Sequence, residues 1–347
     1  MLVPRMIPLV LFLSLEGCAG CGQAAVCNLN GPINDPTNRT LRRQILAQGL
    51  GEFCKEMTSR GAPLRMSDDS PVIGRYFASS CQQQALDSGD LLVKFDGWGF
   101  AWTNVSKKVT FLAGGTVQYN QDFRCADDNS IYAYFPPRQV VATTFTVKAV
   151  ERAVPSPLGN WAQPYVQTFG QQLLTSKLRE GFTVIRDPNG GIEFSLGILA
   201  VGQHPPRPFG LGSGDRTTVE NARSDVHQNQ RDFIGPIRLD SAGSLFLNVR
   251  VDGAPAIDLL IYGKGELDPF LRQYFEVAAA GAIPVPPRFQ AVVQGGVEFR
   301  QAVRLPAGTY YVVLDNTATA GQVAPPSHFL DDRAATVSYA IQIGDTP

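Results

Sequence analysis

Short runs of β-branched, aromatic and other apolar residues, broken by turn residues, occupy most of the chain and predict strands. In the N-terminal half these runs are residues 91–95, 99–102, 109–112, 116–119, 131–135 and 144–147. Asp96-Gly97 and Gly114-Gly115 separate neighbouring runs, and both dipeptides are typical of hairpin turns. We therefore expect a large antiparallel sheet whose many aromatic side chains form either its core or an apolar groove.

Two segments instead repeat apolar residues every three to five positions, which is the spacing of one helix face. Asp35-Pro36 begins the first helix, whose apolar face is Leu41, Ile45, Leu46, Leu50, Phe53 and Met57. Asn160 caps the second helix, whose apolar face is Trp161, Tyr165, Phe169, Leu173 and Leu174. That helix ends at Glu180-Gly181, and a hairpin follows at 182–186 and 192–199. We predict an α+β domain over 37–200, with an antiparallel sheet packed on two long helices.

A stretch rich in proline and glycine at 201–216 has little to bury and predicts a linker. The remainder of the chain, 217–347, contains strand patterns at 236–239, 244–251, 257–262, 297–305, 309–314 and 335–341. Several of these alternate polar and apolar residues, as half-buried strands do. The predicted fold class is therefore an α+β N-terminal domain followed by an all-β C-terminal sandwich of jelly-roll type.

Two resemblances accompany this outline. The order of helix, sheet, helix and hairpin loosely resembles the tubular lipid-binding folds, which carry lipid between a sheet and helices. The C-terminal half resembles the bacterial pre-peptidase C-terminal jelly-roll module through 257–262, Leu305-Pro306-Ala307-Gly308-Thr309-Tyr310-Tyr311-Val312 and a last strand with Tyr339. That resemblance implies a non-catalytic extracellular accessory that binds sugar, protein or, in some members, calcium. A proline-rich insert at 266–296 departs from the module.

The first 17 residues have the form of a secretory signal, because Arg5 precedes an apolar run at 6–13. That run is shorter than the about 20 residues that span a bilayer. Leu15-Glu16-Gly17-Cys18 resembles the lipoprotein signal of bacteria, which implies a diacylated cysteine as the mature N-terminus and a place in the cell envelope, at the outer membrane. Cys21, after Ala19-Gly20, is the alternative lipidation site. A plain secretory signal followed by structural cysteines is the other interpretation.

Residues 18–36 carry few apolar side chains and predict a tether between the anchor and the body. All six cysteines lie within the first 125 residues, and export permits disulfides. The disulfide candidates are Cys27, Cys54, Cys81 and Cys125, which allow three pairings. If Cys21 is lipidated, these four form an even set. If Cys18 is lipidated, five cysteines remain and one is left over.

Catalytic motifs are missing from the sequence. The three histidines, His204, His227 and His328, stand in unrelated contexts, and no metalloprotease, nucleophile-elbow or phosphate-loop motif occurs. The aspartates considered as calcium ligands lack the spacing of a known loop, and we interpret them as surface and turn residues: Asp225, Asp232, Asp252, Asp258, Asp331 and Asp332. We assign no catalytic residue and expect neither a metal nor a cofactor.

A formal net charge of −1 argues against nucleic acid as a partner. The sequence predicts a lipid-anchored, non-enzymatic envelope protein that contacts the membrane through its N-terminal lipid. It would bind an apolar small molecule or lipid, or else a protein or glycan of the envelope. Two alternatives stay open, namely an envelope hydrolase with an unrecognised site and a purely structural envelope component.

Overall fold

Four antiparallel sheets make up most of the computed structural model, which describes residues 27, 30–35, 37–38, 40, 54–55, 57–67, 69–103, 107–151, 162–186, 192–211, 216–277, 281–325 and 334–345. Its helices are α1 (Asn30–Asn34), α2 (Ala162–Glu180) and α3 (Lys264–Glu276). The fold is mainly β, and the predicted packing of one sheet on two long helices is not confirmed. Residues 41–53 of the first predicted helix lie outside the described residues, whereas 57–59 near its end are helical.

Sheet A has five strands, in the order β1 (Ala62–Leu64), β2 (Gly74–Ala85), β3 (Leu91–Thr103), β4 (Lys107–Tyr119) and β7 (Pro137–Val150). Strands β3 and β4 run straight through Asp96-Gly97 and Gly114-Gly115, so the turns predicted there are wrong. A Cβ at Gly97 would collide with the carbonyl oxygen of Phe77 and the hydroxyl of Tyr76. Glycine is needed at Gly97 because neighbouring groups approach closely, and a turn is not the reason.

The two faces of sheet A enter different cores, because side chains alternate along each strand. On β3, Leu91 and Phe95 lie in a core that includes Leu174 of α2. Phe100 and Trp102 lie on the opposite face, in a core shared with the C-terminal half. Towards the other end of β3 this second face is open to solvent. The sheet therefore contributes to a core on each face, and part of its second face is open to solvent.

Helix α2 lies along β7 and closes that edge of sheet A. The Oε1 of Gln167 accepts a hydrogen bond from the N–H of Val147 at 3.0 Å, and its Nε2 donates to the carbonyl of Phe145. One turn later, the Nε2 of Gln171 donates to the carbonyl of Thr143 at 3.1 Å. These side-chain amides replace a neighbouring strand and satisfy backbone groups that an edge strand would expose.

Sheet C is smaller and contains β5 (Asp122–Cys125), β6 (Ile131–Phe135), β8 (Phe182–Arg186) and β9 (Ile192–Leu196), in that order. The pairing of β8 with β9 confirms the predicted hairpin, whose turn at 187–191 lies outside the described residues. Gly181 has a φ of +71°, which confirms the left-handed turn predicted after α2.

The C-terminal half contains two four-stranded sheets packed face to face. Sheet B has the order β10 (Thr217–Val226), β17 (Ala335–Gly344), β12 (Gly243–Asp252) and β15 (Glu298–Leu305). Sheet D has the order β11 (Gln230–Leu239), β16 (Gly308–Asn316), β13 (Ala256–Gly263) and β14 (Phe289–Gln294). Apolar residues of both sheets, such as Leu247 and Leu259, share one core. The predicted sandwich-like arrangement is confirmed.

Helix α3 begins at Lys264, just before the predicted insert 266–296, occupies the first part of that insert and was not expected from the sequence. Its buried residues repeat with helical spacing: Leu267, Phe270, Leu271, Tyr274 and Phe275. Pro269 and the prolines that follow obscured this pattern. The helix packs on the outer face of sheet D, so that this sheet is buried on both faces.

Backbone hydrogen bonds join the two halves that the sequence divides at 201–216. The N–H of Gly61 donates to the carbonyl of Gly235 at 2.7 Å, and the N–H of Val72 donates to the carbonyl of Arg223 at 2.6 Å. Val72 is also buried in the sandwich core. The core formed by sheet A, α3 and sheet D crosses the same division. The halves are therefore packed together, and the predicted linker is not their only connection.

Candidate functional site

The four candidate cysteines pair as Cys27–Cys125 and Cys54–Cys81. The first bond joins the segment before α1 to the end of β5, and the second joins the helical residues before β1 to β2. One of the three pairings that the sequence allows is thereby selected. Cys18 and Cys21, the predicted lipidation sites, lie outside the described residues, as does the predicted signal at 1–17.

Part of the predicted tether at 18–36 is packed onto sheet C. The Nδ2 of Asn34 donates to the carbonyl of Phe123 at 2.6 Å, and the N–H of Phe123 donates to Oδ1 of Asn34 at 2.9 Å. Because β5 is an edge strand, this amide extends the sheet by one residue. Together with Cys27–Cys125, it holds the later part of the predicted tether against the body. Residues 27 and 34 of the predicted tether are therefore attached to sheet C.

The aromatic side chains of sheet A form cores. Phe111 stacks on Phe145 with ring centroids 4.8 Å apart, and Phe95 packs edge-on against Tyr76. Phe100, on the other face, is completely buried against α3 and sheet D. The sequence allows these side chains to form either a core or an apolar groove. The residues named here lie in cores.

His204 lies in the predicted linker and contacts sheet C. Its Nδ1 is 3.1 Å from a carboxylate oxygen of Glu193, and its Nε2 is 3.5 Å from the hydroxyl of Tyr132. Among the described residues, the side-chain partners of His204 are therefore a carboxylate and a phenol. His227 accepts a backbone hydrogen bond in the β10–β11 turn, and His328 lies outside the described residues.

The aspartates considered as calcium ligands are held by the protein itself. Asp258 is fully buried and accepts hydrogen bonds from the N–H groups of Gln322 and Val323. Asp232 is also fully buried, and its partner is an arginine. The prediction of surface and turn positions is therefore wrong for these two. Asp225 accepts a hydrogen bond from Thr336, and Asp252 accepts one from Arg250. Asp331 and Asp332 lie outside the described residues.

A dense polar cluster surrounds Arg75, where β2 meets the sandwich. Its Nε donates to Oδ1 of Asp232 at 2.6 Å, and its Nη2 donates to Oδ2 at 3.0 Å. The same Nη2 donates to Oε1 of Glu220 at 3.0 Å and to the hydroxyl of Tyr339 at 2.7 Å. Arg75 and Asp232 are fully buried, and the Glu220 side chain is 13% exposed. One guanidinium thus ties sheet A to β10, β11 and β17.

The electrostatics of this cluster favour the charged forms. Burial alone would lower the pKa of Arg75, but Asp232 and Glu220 raise it well above its usual range. Burial also acts to raise the pKa of Glu220, yet the adjacent guanidinium outweighs burial and lowers it. The hydroxyl of Tyr339 donates to Glu220 at 2.6 Å. Carboxylates engaged in this way hold strands together.

Lys108 of β4 is a second buried cation and lies beneath α3. Its Nζ is 3.8 Å from the ring centroid of Tyr274 and donates to the carbonyl of the same residue at 3.0 Å. Burial lowers the pKa of Lys108 to about 8, partly opposed by Glu151. Burial likewise raises the pKa of Glu151. A lysine with a lowered pKa can act as a nucleophile, but Lys108 is only 1% exposed and is closed to a substrate.

Neither Arg75 nor Lys108 belongs to a motif in the sequence. Both stand in ordinary strand patterns, and the partner Asp232 is 157 residues from Arg75 along the chain. No local signal separates a buried arginine from an exposed one when its carboxylate partners are so distant. The cluster could be found only by bringing the strands together.

Across the described ranges, no helix has the length and apolar content needed to cross a bilayer. Within the same ranges, no three His, Cys, Asp or Glu side chains gather in a way that could hold a metal ion.

Comparisons with known proteins identify no family. No protein-family profile matches the chain, and the search of curated proteins finds no match. Among solved structures, a glycoside hydrolase family 43 arabinoxylan arabinofuranohydrolase from Bacillus subtilis, in complex with cellotetraose, aligns over 76% of this chain with 10% identity and a TM-score of 0.23. The alignment covers 66% of that chain, slightly under two thirds of its length. A likeness at this TM-score carries no argument about fold or activity.

Proposed function

We propose that this protein is an exported, lipid-anchored, non-enzymatic protein of a bacterial envelope that binds another envelope molecule. The pairing of Cys27 with Cys125 and of Cys54 with Cys81 carries the proposal. Disulfides persist in oxidising compartments outside the cytoplasm, which agrees with a secretory signal at 1–17.

The same pairing bears on the choice of lipidation site. With the four downstream cysteines bonded to one another, lipidation at Cys18 would leave Cys21 as an odd thiol in the mature chain. Lipidation at Cys21 would remove Cys18 with the signal and leave no odd cysteine. The pairing therefore favours Cys21, although Leu15 fits the lipoprotein pattern better for Cys18.

A polar partner is favoured over an apolar ligand in the aromatic sheet. The aromatic side chains of sheet A are engaged in cores, whereas the uncovered part of its second face is mostly polar. Its exposed polar side chains are Ser80, Gln82 and Gln84 on β2, Lys94 and Asp96 on β3, and Thr144 and Thr146 on β7. Leu112 of β4 is an apolar side chain on the same face and is 38% exposed. Amides and hydroxyls on a pleated surface can hydrogen-bond to a protein or a glycan. A lipid tail would gain little there.

The anchor is tested by expressing the full chain in a bacterial host and measuring the mass of the N-terminal peptide from the membrane fraction. We expect a diacylated peptide that begins at Cys21. Cys21→Ala should release the protein from the membrane, and Cys18→Ala should leave it anchored. An unmodified N-terminus in a protein that stays in the soluble fraction would overturn the proposed anchor.

The partner is tested by covalent capture from envelope preparations. Gln82→Ala combined with Lys94→Ala and Thr144→Ala should reduce capture at least fivefold without lowering the melting temperature. Val297→Ser, at an exposed site in the sandwich, is the matched control and should change nothing. An abundant partner that both variants capture equally would indicate a structural component. Lipid that co-purifies with the soluble body in native mass spectrometry would indicate an apolar ligand instead.

A further inference from the structure

The open part of the second face of sheet A is built from three cross-strand rows. The row nearest α3 is Phe77, Trp98, Leu112 and Thr146. The next two rows are Ser80, Asp96, Gly114 and Thr144, and then Gln82, Lys94, Thr116 and Ala142. Strand and residue spacings make this area about 14 Å long and about 14 Å wide. We call the polar side chains of the last two rows the polar floor: Ser80, Gln82, Lys94, Asp96, Thr116 and Thr144.

The fold leaves the hydrogen-bonding groups of the polar floor unused. Within the part of the chain that the structure describes, none of these six side chains has a hydrogen-bond or ion-pair partner. On the sandwich, charges two positions apart on one strand pair with each other, as Arg250 does with Asp252. Lys94 and Asp96 have the same spacing on β3 but form no such pair. The polar floor therefore offers both donors and acceptors to a ligand.

Gly114 leaves an open position at the centre of the polar floor. A Cβ there would collide with Oδ1 of Asp96, so the Asp96 carboxylate lies beside the glycine. Thr144 is the neighbour of Gly114 on the next strand. A carboxylate accepts hydrogen bonds, whereas a hydroxyl both donates and accepts them. Asp96 and Thr144 thus flank one open position and can bind neighbouring hydroxyl groups of a single ligand.

An apolar step borders the polar floor on the side of α3. Trp98 is partly exposed, and its ring stacks on Phe77 with centroids 4.5 Å apart. Phe275 of α3 holds the same ring at 5.3 Å. Leu112, the cross-strand neighbour of Trp98, is 38% exposed. Since Trp98 is already fixed by its neighbours, little side-chain entropy is lost when a ligand packs against it. The C–H groups of a sugar ring fit this step while its hydroxyls bond to the floor.

The charges of this face select among polar ligands. Lys94 and Asp96 are the two charged residues of the three rows and cancel each other. A polyanion would meet the Asp96 carboxylate at the centre. A protein partner binds best to central aromatic or arginine anchors, whereas here Trp98 and Leu112 lie at the border. Resting on the proposed function, which gives this face an envelope partner, we infer that the polar floor binds an uncharged glycan.

The test uses the full chain, expressed in a bacterial host and purified in a detergent without a sugar head group. Immobilised glycans are presented as two sets. One set contains neutral hexoses, N-acetylhexosamines and deoxyhexoses, and the other contains acidic glycans with carboxylate, sulfate or phosphate groups. We expect binding to at least one neutral glycan. In titration calorimetry with the best of these, Asp96→Ala and Thr144→Ala should each weaken binding at least fivefold. Asp252→Ala removes an exposed strand aspartate of the sandwich and, as the matched control, should bind like wild type.

Binding to none of the neutral glycans, or to acidic glycans alone, would overturn the inference. Neutral-glycan binding that Asp96→Ala and Thr144→Ala both leave unchanged would also overturn it, because the glycan would then occupy another surface. Both variants remove exposed side chains and should keep the wild-type melting temperature. Lys94→Ala is a further variant if either of them folds poorly.

The capture experiment of the proposed function separates the two conclusions. If no neutral glycan binds but the combined Gln82→Ala, Lys94→Ala and Thr144→Ala variant loses capture of an envelope protein, the glycan alone is refuted. If that variant also captures as much as wild type, the proposed binding face is refuted together with the glycan.

Discussion

Arg75 of β2 and Asp232 of β11 form a bidentate ion pair in the interior, with Nε 2.6 Å from Oδ1 and Nη2 3.0 Å from Oδ2. Neither residue is exposed, and the pair crosses the division that the sequence places at 201–216. Removing one partner of such a pair is far more costly than the pair itself is favourable, because the other charge stays buried without compensation.

Arg75→Met should therefore leave Asp232 and Glu220 buried without their cation. We expect the free energy of unfolding in urea to fall by about 3–5 kcal/mol. Arg300→Met, which removes an exposed partner of Glu298, is the control and should change little. The wild-type protein should unfold in one transition by both fluorescence and circular dichroism. Two separate unfolding transitions would contradict the packing of the two halves, on either side of 201–216, into one cooperative unit.

Lys108 should make stability depend on pH above neutrality. Its pKa is lowered from 10.5 to about 8 in the folded protein, so the unfolded chain holds the proton more strongly between these values. The cost of burying the charged lysine lowers the free energy of unfolding by its full amount below pH 8. This cost diminishes as the pH rises from 8 to 10.5, so the free energy of unfolding increases. Relative to Lys108→Met, wild-type stability should improve by up to about 3 kcal/mol between pH 8 and 10.5.

The comparison with Lys108→Met removes the titration of the tyrosines, which both proteins share. Lys94→Met, on the exposed face of β3, is the control for replacing a lysine by methionine. If the difference in unfolding free energy between wild type and Lys108→Met does not change with pH, burial beside Tyr274 does not destabilise the charged form of Lys108.

The glutamine amides of α2 should protect the β7 edge from association. Replacing Gln167 and Gln171 by alanine removes hydrogen bonds to β7 worth about 1 kcal/mol each. We expect the double variant to lose about 2–3 kcal/mol of unfolding free energy and to self-associate in sedimentation velocity. Gln84→Ala, exposed on β2, is the control. A double variant that remains monomeric would mean that α2 shields this edge by its backbone alone.

The two disulfides should stabilise the fold unequally, because they close loops of different length. Their sequence separations are 98 for Cys27–Cys125 and 27 for Cys54–Cys81. Loop-closure entropy predicts losses of about 4.7 and about 3.6 kcal/mol when each pair is replaced by serine. Urea unfolding of the two double-serine variants measures both. The reverse order would show that native contacts around Cys54–Cys81 outweigh chain entropy.

The local pattern of residues was sufficient to predict most strands. It was insufficient where tertiary packing determines the local structure. The β8–β9 hairpin and the sandwich strands follow from alternation and turn residues, which act within a few positions. Asp96-Gly97 has the same composition as a turn, yet it lies inside β3 because Tyr76 and Phe77 need the space above Gly97. The helix pattern of α3 was present but was outweighed by nearby prolines.

The sequence by itself determined which residues can form strands, that the second half is a β-sandwich, and that four cysteines were available as disulfide partners. These properties depend on residue type and short-range spacing. Only the tertiary structure decided that Cys27 meets Cys125, that Arg75 meets Asp232, and that sheet A packs on the sandwich instead of standing apart from it. The physical reason is that each of these contacts joins residues far apart in the chain, and its stability depends on burial that no local pattern encodes.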